Sequence, residues 1–429
     1  MIFTRRLKNI AGLLGTISKW FGAVFLVPLI FAIFNGTPVV PFLAPMGVAV
    51  LFGFILEHFF ADTDLERADG FLLVFMTWLG VSLLGAMPYV LTGTGTLAVP
   101  INAFFESVSG FSCTGSTVMG TISLEQYPHS VMIWRQLTQW LGGMGILVLA
   151  VAVLPRLSVG GAQFLDNEVP GPRMDRLTPH MAETARRLWL LYIGASAVLF
   201  VLLYGMYLGG FAPKMDAFQS LAHTLTTLPS GGFSPMGRSV EAFSGPVQWL
   251  LIPFMFVAAM NFALLWRAIK VGPSSLLENT EFKVYLWLFA IAGVIVSAML
   301  LFEGEYASVE ESFRTGFFQL ATFITTTGFA SADFAQWSEE TMMVLIVLMF
   351  VSGCVGSTSG GLKIMRWIVG VKVVYREVIQ RIHPSSVRPL RMGDRVLKDG
   401  VIRGAMVLII SYLSLFAIST VVITIDTRS

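Results

Sequence analysis

Residues 311–328, ESFRTGFFQLATFITTTG, join a semi-apolar helical segment to a turn of three threonines and a glycine. The same design recurs in NAFFESVSGFSCTG at residues 102–115 and in DAFQSLAHTLTTLPSG at residues 216–231. The polar residues expected to cap these helices are Asn102, Asp216 and Glu311. Helices of this length reach about 20–25 Å, which is too short for a hydrocarbon core of about 30 Å. We therefore expect each segment to enter a membrane and turn back.

The composition of the chain is that of a membrane protein. Of its 429 residues, 55% are hydrophobic and only 13% are charged, whereas soluble domains carry about twice that charge. Apolar runs near the length of a membrane span, about 20 residues, lie near 10–34, 40–60, 70–92, 130–154, 187–210, 246–266, 284–302, 341–381 (interrupted) and 401–425. The sequence predicts an all-α polytopic membrane protein, and we expect its first helix to be retained because no cleavage site follows it.

Basic and acidic residues alternate between the two sides of the membrane. Loops on the side of the N-terminus are basic, and the block from Lys363 to Arg403 alone holds ten Lys or Arg. By the positive-inside rule, the N-terminus and the basic loops are predicted to be cytoplasmic. The basic stretch RIHPSSVRPLRMGDR (381–395) is then a topology signal that faces anionic lipid rather than a nucleic-acid site.

The three polar turns suggest a cation path. Re-entrant backbone is tolerated at membrane depth only where protein surrounds it or where it lines a water-filled path. The C-terminal end of a half-helix carries about half a negative charge, which favours a cation. Backbone carbonyls beyond that end can replace the hydration shell of a monovalent ion, and glycine permits the backbone angles that aim them. The alternative for each turn is a helix C-cap or a packing turn, but three corresponding turns favour the path.

The stretch GCVGSTSGGLK (353–363) interrupts an apolar run with small and polar residues. It is not a phosphate loop, because Leu362 separates Gly361 from Lys363. Glycines allow the helix to break, hydroxyl side chains can satisfy the freed backbone groups, and Lys363 would bring a positive charge near the cation path. The alternative is a simple kink. Arg135, at an outer helix end, is expected to pair with an acid such as Glu106 or to snorkel.

Five motifs together indicate a family. They are GFSCTGST (110–117), WLGGMGILVLAVAVLP (140–155), PSGGFS (229–234), ITTTGFASADFAQW (324–337) and GCVGSTSGGLKIMR (353–366). Over nearly its whole length the chain resembles the Trk/Ktr/HKT superfamily of potassium uptake proteins, and most closely the TrkH-type membrane subunits. An extra N-terminal helix pair, at about residues 10–60, is a feature of TrkH-type subunits that Ktr-type subunits lack.

The resemblance implies a potassium filter with one glycine from each repeat, at Gly115, Gly231 and Gly328. The residues that would supply carbonyls before them are Ser112, Cys113, Thr114, Leu228, Pro229, Ser230, Thr325, Thr326 and Thr327. The resemblance also implies an intramembrane gate under the filter. Its residues are Gly353, Gly356, Ser357, Thr358, Ser359, Gly360, Gly361 and Lys363. The thiol of Cys113 and the ring of Pro229 depart from the family pattern and could loosen selectivity.

The repeats divide the chain around a central pore. The expected parts are an N-terminal helix pair (1–66), pore repeats at 67–160, 161–275 and 276–385, and the first helix of an incomplete fourth repeat (386–429). Repeat spacing would place a fourth glycine near 425–444, where nothing matches. We therefore expect a version of a four-repeat protein that lacks its fourth half-helix and conducts poorly alone.

The resemblance implies potassium uptake across the bacterial inner membrane, as a channel or as a symporter coupled to sodium or protons. No enzymatic activity and no covalently bound cofactor are expected, with K⁺ as the transported ion. The expected partners are a second copy of the chain, a cytosolic TrkA-type nucleotide-binding subunit and membrane lipid. One alternative is a sodium-permeable or non-selective relative. Another is an integral-membrane lipid enzyme, which the lack of clustered acid–base residues in the membrane segments disfavours.

Overall fold

A computed structural model describes residues 2–60, 67–148, 179–384, 389–393 and 395–426. These residues are predominantly helical, as predicted. The helices are α1 (Ile2–Gly22), α2 (Leu26–Phe34), α3 (Val40–Phe59), α4 (Arg67–Thr92), α5 (Pro100–Phe111), α6 (His129–Val148), α7 (Pro179–Leu208), α8 (Ala217–Thr227), α9 (Gly245–Ala258), α10 (Phe262–Val271), α11 (Ser274–Glu278), α12 (Thr280–Glu303), α13 (Val309–Ile324), α14 (Glu339–Met349), α15 (Ile364–Ile382) and α16 (Asp399–Asp426). Strands β1 (Arg391–Met392) and β2 (Arg395–Val396) form a short antiparallel hairpin.

Within the described residues, six helical segments are long and apolar enough to cross a membrane. They are Ile10–Phe34, Val40–Phe59, Asp69–Thr92, Glu183–Leu208, Thr280–Glu303 and Asp399–Asp426. Each agrees with a run expected from the sequence, so the prediction of a polytopic helical membrane protein is confirmed. The end of the predicted run at 130–154 lies beyond Val148, outside the described residues.

Two predicted apolar runs are broken helices. The run at 246–266 divides into α9 and α10, which are bent by 100° across a short break. Asn261 explains the new start, because its side chain accepts a hydrogen bond from Leu264 N at 2.9 Å and caps α10. The interrupted run at 341–381 divides into α14 and α15, with the glycine-rich loop between them.

The three short helices form, but two of their predicted caps are wrong. Helices α5, α8 and α13 have 12, 11 and 16 residues. Asp216 caps α8 as expected, accepting from Gln219 N at 2.8 Å. The cap of α13 is Ser308, which accepts from Glu311 N, so Glu311 lies inside the first turn. Helix α5 begins instead with Pro100, whose fixed φ suits a first helical position, and Asn102 follows within the helix.

The chain forms two compact units. The first comprises Met1–Ile146, Tyr192–Met255 and Thr327–Asp333. The second comprises Leu147–Leu191, Phe256–Thr326 and Phe334–Ser429. All three filter glycines expected from the sequence fall in the first unit, and the glycine-rich loop falls in the second.

In the first unit, α1 and α3 approach each other through two glycines. A Cβ on Gly15 would lie 2.8 Å from the carbonyl oxygen of Gly53, so a side chain there would push the helices apart. Lys19 and Glu57 form an ion pair of 2.6 Å between the same helices. The core continues to α6, where the ring of Phe25 stacks on Trp134 with centroids 4.6 Å apart.

In the second unit, α12 packs closely on α13. A Cβ on Gly316 would meet the backbone of Ser297 at 2.8 Å, so glycine permits the contact. The rings of Phe256 and Tyr285 stack at 4.5 Å, joining the end of α9 to α12. Helix α16 packs against α15 near its start and leaves most of its apolar length exposed, as a lipid-facing span would.

Candidate functional site

The turns after α5, α8 and α13 share one backbone conformation. In each, a residue with φ between 54° and 56° is followed two positions later by a glycine with φ between 75° and 88°. The first members are Cys113, Ser230 and Thr326, and the glycines are Gly115, Gly232 and Gly328. Positive φ is uncommon outside glycine, so three copies of this pattern indicate one shared local structure.

The second turn lies one residue later than the comparison of the three motifs in the sequence predicted. Gly232, and not Gly231, has the positive φ that corresponds to Gly115 and Gly328. Hydrogen bonds give the same alignment, because Thr114 N donates to Ser109 O and Gly231 N donates to Thr226 O, both at 3.0 Å. Two adjacent glycines made the position ambiguous in the sequence.

In this alignment Leu228 ends the helix, and Pro229, Ser230 and Gly231 correspond to Ser112, Cys113 and Thr114. Leu228 has a right-handed helical conformation at the C-cap of α8. Ser112, the C-cap of α5, corresponds to Pro229 rather than to Leu228, and its hydroxyl lies 2.7 Å from that of Thr114. Thr325 is the C-cap of α13.

The turns adjoin one another in the first unit through a repeated contact. A Cβ on Gly115 would collide with the carbonyl oxygen of Gly231, and a Cβ on Gly232 would collide with that of Thr327. In both cases a glycine with positive φ lies against a carbonyl oxygen of the next turn. That oxygen belongs to the residue that precedes the positive-φ glycine of that turn. A Cβ on Gly328 would meet none of the described residues within 4 Å. The carbonyl-bearing backbones of the three turns are therefore neighbours.

Gln139, on α6, holds the backbone of the second turn through two hydrogen bonds. Its Nε2 donates to Gly231 O at 2.7 Å, and its Oε1 accepts from Phe233 N at 3.0 Å. Its own carbonyl accepts a hydrogen bond from the thiol of Cys113 at 3.3 Å. One buried residue thus fixes the backbone on both sides of Gly232 and contacts the first turn. Sequence reasoning missed this role, since Gln139 is one of several polar residues in the same part of α6 and nothing in the sequence sets it apart from Gln136 or Thr138.

A buried ion pair connects the segments that follow the first and second turns. Arg135 Nε lies 2.6 Å from Glu106 Oε1, which confirms the expected pairing, and both side chains are at most 1% exposed. The carboxylate also accepts from Val118 N at 3.1 Å, and Arg135 donates to Ser234 O at 3.1 Å. The pair therefore joins the continuation of the first turn to that of the second.

Two adjacent glycines of α6 allow that helix to approach the turns. A Cβ on Gly142 would collide with the backbone of Phe111, the last residue of α5, and one on Gly143 would collide with Pro229. The WLGGMG motif (140–145) is thus a packing surface.

The glycine-rich loop pairs with the break between α9 and α10. Helix breaks free carbonyls, and those of Ala258 and Ala259 are both bonded by the loop. Cys354 N donates to Ala259 O at 2.8 Å, and the backbone N and hydroxyl of Thr358 donate to Ala258 O at 3.2 and 2.9 Å. In return, Phe262 N donates to Gly356 O at 3.1 Å. Each interruption therefore satisfies polar groups of the other.

The glycines of this loop are required for different reasons. Gly356 and Gly361 have positive φ, 77° and 65°, and so adopt a conformation that side chains disfavour. Gly353 packs so closely on Ala259 that a Cβ would lie 2.7 Å from the Cβ of that alanine. Gly360 donates its N–H to the hydroxyl of Thr326 at 2.7 Å, which joins the loop to the third turn.

Lys363 folds back onto its own loop. Its Nζ donates to the hydroxyls of Ser357 and Ser359 at 3.1 and 2.9 Å and also contacts the Ser359 carbonyl. The Lys363 amino group is therefore surrounded by three oxygens of its own loop.

Glu281, in the first turn of α12, is a buried residue that sequence reasoning missed. Its Oε1 accepts from Val355 N at 2.9 Å and from Met365 N at 3.1 Å. A single carboxylate therefore bonds the backbone on both sides of Lys363. An acid next to a helix cap is ordinary in a sequence, so nothing marked it out.

Comparison with known proteins gives one family. The TrkH family model, described as cation transport protein, matches residues 46–427. The chain is 33% identical over 367 residues to the Trk system potassium uptake protein TrkH of Escherichia coli, covering 84% of this chain and 73% of that protein. It is 34% identical over 418 residues to TrkH of Halomonas elongata, covering 96% and 84%. The crystal structure of the potassium transporter TrkH from Vibrio parahaemolyticus superposes with a TM-score of 0.84 at 28% identity, covering 97% and 84%.

Proposed function

We propose that this chain, which belongs to the TrkH family of cation transport proteins, takes up potassium ions through a path lined by its three polar turns. Members of this family are transporters rather than enzymes. The observation that carries the proposal is the repeated left-handed turn, whose copies adjoin one another at Gly115, Gly232 and Thr327. Adjacent backbone carbonyls are the groups that replace the hydration shell of K⁺.

In this proposal the filter glycines are Gly115, Gly232 and Gly328. The carbonyls before them are those of residues 112–114, 229–231 and 325–327. The carbonyl of Gly231 keeps one lone pair beyond the bond from Gln139, because a carbonyl oxygen can accept twice. The thiol of Cys113 donates to the Gln139 carbonyl. This departure from the family pattern therefore leaves the backbone carbonyls of the first turn available to the ion.

The 353–363 loop is the gate in this proposal, with Lys363 as its charged element. The bond from Gly360 N to the Thr326 hydroxyl supports this role, because Thr326 precedes the third filter glycine by two residues. The ammonium of Lys363 would repel a cation, and a shift of the loop would move charge and backbone together.

Topology and partners follow the same proposal. The basic segment from Lys363 to Arg403 lies on the cytoplasmic side of a bacterial inner membrane, as does the N-terminus. This face suits docking of a cytosolic TrkA-type nucleotide-binding subunit to a homodimer. The pore repeats are residues 67–160, 161–275 and 276–385, preceded by the helix pair at 1–66.

The test is potassium-dependent growth of uptake-deficient cells, paired with potassium and sodium flux in proteoliposomes. Although the chain alone is expected to conduct poorly, the proposal expects some growth at low external potassium and a K⁺ flux that exceeds the Na⁺ flux. Equal fluxes of the two ions would instead support a non-selective cation path, and no flux of either ion in the presence of the partner subunit would contradict transport.

A further inference from the structure

Glu281 fastens both ends of the segment that contains the gate loop. The side chain is 1% exposed, and its Oε1 accepts hydrogen bonds from Val355 N and Met365 N. Val355 lies near the start of the loop, whereas Met365 lies in the first turn of α15, which follows the loop. The side chain of Glu281, on α12, therefore bonds the backbone at two positions that flank the middle of the loop.

Charge strengthens this attachment. Hydrogen bonds to an ionised carboxylate are about twice as strong as those between neutral groups, and exclusion of water increases the difference. The N-terminal end of α15 also favours a nearby negative charge.

The middle of the loop lies against the third turn. Gly360 N donates to the hydroxyl of Thr326, which has the left-handed conformation that starts the turn. The arrangement held by Glu281 is therefore one in which the loop touches a residue next to the proposed ion path. Movement of the loop away from Thr326 requires its ends to loosen or the hydrogen bond from Gly360 N to break.

We propose that Glu281 is a positioning residue that holds the 353–363 loop in its occluding conformation and so sets the basal ion flux. The inference rests on the proposed function, in which this loop is the gate. It assigns a residue that influences ion flux to α12, outside both the filter and the loop.

The first test is the variant Glu281→Gln, which keeps the size and one acceptor but removes the charge. We expect basal K⁺ flux in proteoliposomes to rise on the order of tenfold, which corresponds to about 1.4 kcal/mol. The K⁺/Na⁺ flux ratio should stay unchanged, because the filter turns keep their contacts. A residue with only a structural role would lower the flux and the amount of protein in the membrane.

Tyr285→Phe is the matched control. Tyr285 is buried one turn further along α12, and its hydroxyl donates to Phe256 O at 3.1 Å rather than to the loop. Its loss removes a buried hydrogen bond from the same helix without freeing the gate. Basal flux of this variant should equal that of the parent.

A second test reports loop position without any flux. Cys354, in the loop, is 1% exposed, and the chain has only one other cysteine, Cys113. In purified Cys113→Ser protein, a maleimide should therefore label Cys354 alone. We expect Glu281→Gln to raise the labelling rate on the order of tenfold, and Tyr285→Phe to leave it unchanged.

An unchanged labelling rate in Glu281→Gln would overturn the inference. Faster labelling with unchanged flux would also overturn it, provided that deletion of residues 357–360 raises flux in the same assay. If that deletion leaves flux unchanged, the gate of the proposed function fails instead. The labelling rate then decides alone whether Glu281 holds the loop.

Discussion

A side chain is disfavoured at both Gly231 and Gly232, but for different physical reasons and to different degrees. Gly232 has a φ of 75° and lies against the carbonyl of Thr327, so a Cβ there meets backbone in a strained conformation. Gly231 has no such φ, and the nearest atoms to a Cβ there would be those of the side-chain amide of Gln139. A flexible side chain can move aside, whereas a neighbouring backbone cannot.

We therefore predict that Gly232→Ala lowers the K⁺/Na⁺ flux ratio more than Gly231→Ala does. The left-handed conformation alone costs alanine about 1–2 kcal/mol, and the collision with the Thr327 carbonyl adds to it. Flux ratios in proteoliposomes measure this, and equal ratios for the two single variants would refute the alignment of the second turn.

Gln139 is predicted to affect ion selectivity because it holds the backbone of the second turn at Gly231 and Phe233. Gln139→Leu leaves Gly231 O and Phe233 N unpaired, at about 1–3 kcal/mol for each buried group. The turn should then relax, and the K⁺/Na⁺ flux ratio should fall. Gln136→Leu is the matched control, since Gln136 is fully buried one turn earlier on α6 and its side-chain amide has no hydrogen-bond partner among the described residues. A similar fall in both variants would show that any apolar substitution in α6 disturbs the path.

At the scale of elements, the Glu106–Arg135 pair links α5 and α6 to the segments after the first two turns. Removing one partner of a buried pair leaves an uncompensated charge and costs about 3–5 kcal/mol. We predict that Glu106→Gln and Arg135→Gln each lower the thermal midpoint of the purified protein. The double variant should lose less than the sum of both, because no charge is left unpaired. Strictly additive losses would mean that the two side chains act independently.

Helix breaks show what sequence reasoning could find among the elements. Glycines and hydroxyls marked the loop at 353–363, because they stand out in an apolar run. The break between α9 and α10 escaped notice, since Ala258, Ala259 and Met260 continue the apolar pattern unchanged. Its free carbonyls are satisfied by the loop nearly 100 residues later, and no local pattern encodes a hydrogen bond between such distant segments.

For the whole molecule, the sequence was sufficient for the helical membrane fold and the family, because apolar length and repeated turn motifs are local features. It also predicted the three polar turns as candidate sites. It could not place the second turn to the residue, because two glycines in succession fit the motif equally well. It also gave no sign of Gln139 or Glu281, whose proposed roles depend on contacts with distant backbone groups.

The central claim is that the three left-handed turns jointly bind potassium. Crystals of the purified protein grown with thallium, which substitutes for potassium and scatters anomalously, test it most directly. The account predicts anomalous peaks in direct contact with the carbonyl oxygens of Thr114, Gly231 or Thr327. Peaks that lie only elsewhere, or strong peaks that persist unchanged at the turns in Gly232→Ala crystals, would contradict it.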